Sequence, residues 1–137
     1  MFIQDDDVME LKVYYRKNKN RYMAYTEKDY KDITEEEKAK CSVLSLKAKN
    51  LNWGLYNQLQ DDAMVDNGNG ERQFNFRAYK ENRLKNLIKE WDAKDKDGKP
   101  VPINEKTIAH LSPAVAETIL RAYDDVSLLS EEESGKS

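Results

Sequence analysis

Met9, Leu11, Val13 and Tyr15 alternate with Glu10, Lys12, Tyr14 and Arg16. A period of two places the apolar set on one face of a half-buried strand. The polar link Lys17-Asn18-Lys19-Asn20 and the aromatic run Arg21-Tyr22-Met23-Ala24-Tyr25-Thr26 predict a second strand that pairs back as a hairpin. Residues 27–40 are dominated by charge and predict a solvated excursion in which Thr34 caps a short helix. Alternation returns from Cys41 to Lys49, with Leu44, Leu46 and Ala48 on one side, and predicts a third strand.

Helical spacing then takes over. Asn52 suits the cap of a helix running from Trp53 to about Val65, with Trp53, Tyr56, Leu59 or Gln60, and then Ala63 and Met64 near one face. Asp66-Asn67-Gly68-Asn69-Gly70 is a loop by composition, since Asn and Gly accept the backbone angles of sharp turns. Phe74 to Trp91 predicts a long helix whose stripe is Phe76, Tyr79, Leu84, Leu87, Ile88 and Trp91. Asp97-Gly98 and the prolines Pro100 and Pro102 break it. A short helix starts near Asn104. Ser112-Pro113 opens a last helix, which carries Val115, Ile119, Ala122, Tyr123 and Val126 on one face. The expected fold is α+β: a small amino-terminal antiparallel sheet of about three strands packed with three to four α-helices, the carboxy-terminal half all helical. One domain is expected over 1–129, and the polar segment 130–137 has nothing to bury and is expected to be a disordered tail.

Composition narrows the function. With 137 residues, 36% of them charged and 39% apolar or aromatic, the core is small and the exposed surface large. The 23 Lys plus Arg are interspersed with 26 Asp plus Glu, for a formal net charge of −3. Nucleic-acid binding needs a concentrated positive face and is not expected. The start of the chain lacks the pattern of a signal peptide, and no apolar stretch reaches the roughly 18 residues of a membrane span. A reducing cytoplasm and no membrane are therefore expected.

The residues that could carry chemistry do not assemble into a site. His110 is the sole histidine and Cys41 the sole cysteine, so neither a nucleophile-base pair nor a zinc ligand set can be drawn. The run Asp92-Ala93-Lys94-Asp95-Lys96-Asp97-Gly98 invites a calcium loop. With Gly98 at its sixth position, however, the first ligand would be Ala93 and the twelfth Asn104, where acids belong. A turn capped by aspartates fits better. Gly68-Asn69-Gly70 and Gly135-Lys136-Ser137 both lack the strand and helix that frame a phosphate loop. No catalytic residue, cofactor or metal is expected; the chain reads as a non-enzyme that binds protein.

The order of these elements carries a resemblance. The strand Cys41 to Lys49, the Asn52-Trp53 helix start, the glycine-containing turn and the helix ending in Leu87-Ile88-Lys89-Glu90-Trp91 come first. The connector Asp92 to Asn104, then Ile108, Leu111-Ser112-Pro113, Val115-Ala116 and Leu120, complete it. Together they resemble tail assembly chaperones of long-tailed bacteriophages and related small phage tail proteins. That resemblance implies no reaction. It implies binding and solubilising the helical tape-measure protein, help in tail-tube polymerisation, and action in the cytoplasm of an infected bacterial host. Tape-measure and tail-tube proteins are the implied partners, and self-association stays open. The expected binding residues are Ile119, Leu120 and Tyr123 of the last helix together with Trp53, as in helix-in-groove recognition. The alternative is a virion structural protein, such as a head-tail connector, tail-terminator or capsid-associated component, that adds its amino-terminal strands to a neighbour's sheet. A regulator of a host enzyme is third.

Overall fold

Thr26, Thr34, Asn52, Asn75 and Asn104 each precede a helix in the computed structural model, and each side-chain oxygen accepts from the backbone N–H three residues on. These bonds satisfy donors that a helix's first turn leaves without partners. The structure describes the backbone of residues 1–136 and the side chains of residues 1–127. Among these, the order is β1 (Val8–Asn18), β2 (Arg21–Thr26), α1 (Glu27–Asp32), α2 (Glu35–Lys40), β3 (Ser42–Lys49), α3 (Trp53–Asp61), β4 (Met64–Asp66), β5 (Arg72–Phe74), α4 (Phe76–Leu87), β6 (Ile88–Trp91), α5 (Glu105–Ala109) and α6 (Pro113–Lys136). The fold is α+β. The tail expected at 130–137 lies outside the residues whose side chains are described.

The main sheet has four antiparallel strands in the order β2-β1-β3-β6. Leu11 stands opposite Leu46, and Val13 stands between Leu44 on one side and Thr26 on the other. This register puts the apolar alternation of both strands on one face, where Val13 is 0% exposed. Ile119, Leu120, Ala122 and Tyr123 of α6 and Leu84 and Leu87 of α4 complete the same core cluster. A core side chain of this size contributes roughly 2–3 kcal/mol by leaving water.

Three expectations need correction. The carboxy-terminal half is not all helical: α3 ends at Asp61, and a hairpin of β4 and β5 follows. Gly68 and Gly70 make the turn between them at φ 89° and 79°, a conformation that glycine adopts without a Cβ penalty. The predicted helix to Trp91 stops at Leu87, and the next four residues form β6, a fourth strand on the open edge of β3. Pairing with a partner distant in sequence outweighs local helical preference here. A register shift opposite Lys47 and Ala48 accommodates Lys89, so Ile88 pairs with Ala48 and Trp91 with Leu46. Such an extra residue lets two side chains three positions apart turn toward the same face. Trp91 packs against the core, and its Nε1–H donates to the Val101 carbonyl at 2.7 Å.

The charged segment 27–40 is the third correction, in part. Thr34 caps α2 as expected and neither α1 nor α2 contains a buried residue, but the segment folds against the sheet's other face rather than standing apart from it. Tyr30 stacks on Tyr14, and Glu37 accepts hydrogen bonds from Arg16 and Tyr25. Tyr14 and Arg16 alternate with Val13 and Tyr15, so they belong to the face opposite the core.

Candidate partner-binding surface

Trp53 begins α3 and is 76% exposed. An indole in the first turn has little helix beneath it to cover it, and Asn52, spent on the cap, holds the turn in place. Asn52 Oδ1 accepts from Leu55 N at 2.9 Å while its Nδ2 donates to Asp5 Oδ1 at 3.1 Å. The amino-terminal turn is thereby tied to the start of α3. Tyr56, one helical turn on, stacks with Trp53 at a centroid distance of 5.8 Å and 18° between planes.

These two rings form one wall of a groove of about 890 Å³. Tyr79 and Arg83 of α4 and Tyr123 and Asp124 of α6 form a second wall, and Ile3, Met9 and Leu51 also line the groove. The Arg83 guanidinium faces the Tyr79 and Tyr123 rings at 5.4 and 5.6 Å and bonds to the Asp124 carboxylate. A cation over ring faces and beside a carboxylate is stabilised by both. Tyr123 donates its hydroxyl to the Lys49 carbonyl at 3.0 Å, and burial pushes its phenol above the ordinary value. This wall is braced by partners on three separate elements.

The aromatic surface continues beyond the groove. Phe74 meets Tyr79 at 5.3 Å and Phe76 edge-on at 5.1 Å. Phe76 is 74% exposed. The rings therefore run from the β4–β5 hairpin through Tyr79 to the groove that Trp53 and Tyr56 also line. Large exposed aromatics gathered in one place mark an interaction surface more strongly than scattered ones do.

Of the four residues expected to bind a partner, Trp53 is on this surface. Ile119 and Leu120 are 2% and 6% exposed, and both belong to the core. Tyr123 is 3% exposed and reaches the groove only as part of its braced wall. The stripe on α6 is spent on the sheet and α4. Tyr56, Phe74 and Phe76 supply exposed surface that sequence reasoning missed. The signal available for the phenylalanines was their position beside the Asn-Gly-rich turn, where a short hairpin has one side facing solvent.

The other singled-out residues have local roles. Cys41 Sγ contacts the Glu37 carbonyl at 3.4 Å, and burial raises its pKa, which favours the thiol over the reactive thiolate. His110 is exposed, with Nδ1 2.7 Å from the Lys106 carbonyl. Asp95 Oδ1 accepts from Asp97 N at 2.9 Å and Lys99 N at 3.0 Å, closing the turn at Gly98. That carboxylate caps its own loop, as the spacing of the acids had indicated. No helix among the described residues is long and apolar enough to cross a membrane. No family model, curated protein or solved structure matches the chain.

Proposed function

We propose that this protein is a non-catalytic tail assembly chaperone of a long-tailed phage, which binds an amphipathic helix of the tape-measure protein in the aromatic groove. The observation that carries the reading is Trp53 stacked on Tyr56 and held exposed beside a groove whose other wall is braced. A preformed wall limits the ordering cost of binding, and exposed aromatics supply large contact area. Such a contact covers the apolar stripe of a long helix, keeps it soluble before assembly, and is small enough to release. Tail-tube subunits then replace the chaperone, which acts in the host cytoplasm. The same reading is what the resemblance over roughly Ser42 to Asp125 implies, although β6 now stands where that pattern had the end of a helix.

Co-expression with the tape-measure protein tests it. The parent protein is expected to keep the tape measure in the soluble fraction, and Trp53→Glu to lose this effect while remaining folded. Full solubilisation by Trp53→Glu would remove the groove from the mechanism. The second reading, a virion component, is favoured by β2, an edge strand of the main sheet to which a neighbour's strand could add. Mass spectrometry of infected lysate and purified virions separates the two. Abundance in lysate with absence from particles fits the chaperone, and a fixed copy number in particles fits the component.

A further inference from the structure

The groove's two walls share one recognition chemistry. In the α4–α6 wall, two rings and a carboxylate surround a cation of this chain: Tyr79 and Tyr123 face the Arg83 guanidinium, and Asp124 pairs with it. In the α3 wall, Trp53 and Tyr56 form an aromatic pair, and Asp5 is bonded to the intervening cap residue Asn52. No Lys or Arg among the described residues forms an ion pair with Asp5 or lies over the Trp53 or Tyr56 ring. Asp6 and Asp7 follow Asp5 at the same end. Among the described residues, the charged groups lining the groove are Arg83 and Asp124, which pair with one another. Asp5, bonded to the groove-lining Asn52, is thus a carboxylate without an ion-pair partner among the described residues, and the exposed ring faces beside Asn52 attract cations as well.

We infer that the groove selects an amphipathic helix of a partner protein that carries a lysine or arginine beside its apolar stripe, the cation seating between Asp5 and the Trp53–Tyr56 pair. This rests on the protein-binding reading above and adds the partner's chemistry. A helix with acids at that position would meet Asp5 with like charge.

Two labelled helical peptides of about 18 residues, roughly five turns, provide the test. They share one leucine stripe and differ only in lysine or glutamine at the flanking positions. Binding to the full chain is followed by fluorescence anisotropy at low salt, with sedimentation of the protein alone as a companion measurement. The lysine peptide is expected to bind about fivefold more tightly than the glutamine peptide. Asp5→Asn should bring the two within about twofold, because Asn at position 5 keeps an acceptor for Asn52 and loses the charge. Equal affinities for the parent, with both lost in Trp53→Ala, would overturn the charge selection and leave the groove reading standing. Failure of both peptides to bind would overturn both. A dimer of the protein alone that Trp53→Ala dissociates would assign the groove to a second copy and overturn the inference.

Discussion

Tyr14 of β1 lies almost flat against Tyr30 of α1, with ring centroids 3.7 Å apart and 11° between planes. This contact, with the pairing of Arg16 and Tyr25 to Glu37, fastens a segment of otherwise polar sequence to the sheet. Helices of six residues are too short to persist alone. Tyr30→Ala should cost about 1 kcal/mol and raise amide exchange across 27–40 ahead of the core. Exchange unchanged in that segment would show that the stack does not hold it.

The same network predicts an acid-sensitive element. The hydrogen bond from Arg16 holds the Glu37 carboxyl below its ordinary range; burial opposes this, and the Tyr25 hydroxyl adds to the lowering. A carboxylate with a lowered folded pKa stabilises the fold above its unfolded value, and the contribution is lost as pH falls through the folded value. Glu37→Gln should therefore reduce stability at neutral pH and flatten the decline on acidification. Urea unfolding at about pH 7 and about pH 3 measures it. An acid limb identical to the parent's would place the titration elsewhere.

Trp53 and Ile119 separate binding from folding. Trp53→Ala should change stability by no more than about 0.5 kcal/mol while weakening capture of a helical partner, since the indole is exposed. Ile119→Ala empties a core position and should cost about 3 kcal/mol. Its effect on partner capture should disappear once the assay counts only folded protein. Calorimetry and a pull-down on the same preparations distinguish them.

Trp91→Phe retains a large aromatic in the core and removes the donor to the Val101 carbonyl. A loss of about 1 kcal/mol is expected, seen as a lower Tm, with the connector after β6 exchanging faster. No change in either would mean that the bond contributes nothing to holding the connector.

At the alkaline end, Tyr123 has a raised pKa because burial disfavours its phenolate. Its contribution is full below the unfolded value and diminishes as pH rises through the folded one. Tyr123→Phe should lose about 1 kcal/mol at neutral pH and unfold less steeply with added base. Denaturant midpoints across the alkaline range test the sign.

Local chemistry was legible in the sequence and distant pairing was not. Asn52 and Thr34 cap the helices expected of them because a cap involves residues only three positions apart. The alternation of Leu11 and Val13, and of Leu44 and Leu46, likewise located two strands and their inner face. Ile88 and Trp91 misled because their spacing of three suits a helix, and only the extra residue Lys89 lets a strand turn both inward. The partners of Tyr30 and Glu37 lie 16 and 21 positions away, at Tyr14 and Arg16, so their segment looked free. For the candidate site, an apolar stripe on α6 reveals that something covers it but not whether that cover is the chain itself. Ile119, Leu120 and Tyr123 are covered from within, and the surface left over belongs to the short elements before them.

The passage from Leu87 to Ile88 has no connecting residue: α4 ends and β6 begins at adjacent positions. One inserted residue there would turn the preceding helix by about 100° relative to the strand, or reverse which strand side chains face inward. Either choice would carry Tyr79 and Arg83 out of alignment with Tyr123 or withdraw Ile88 and Trp91 from the core. Chain length at this junction is consequently as constrained as residue identity, and spacers tolerated at the Gly68–Gly70 turn would be rejected here.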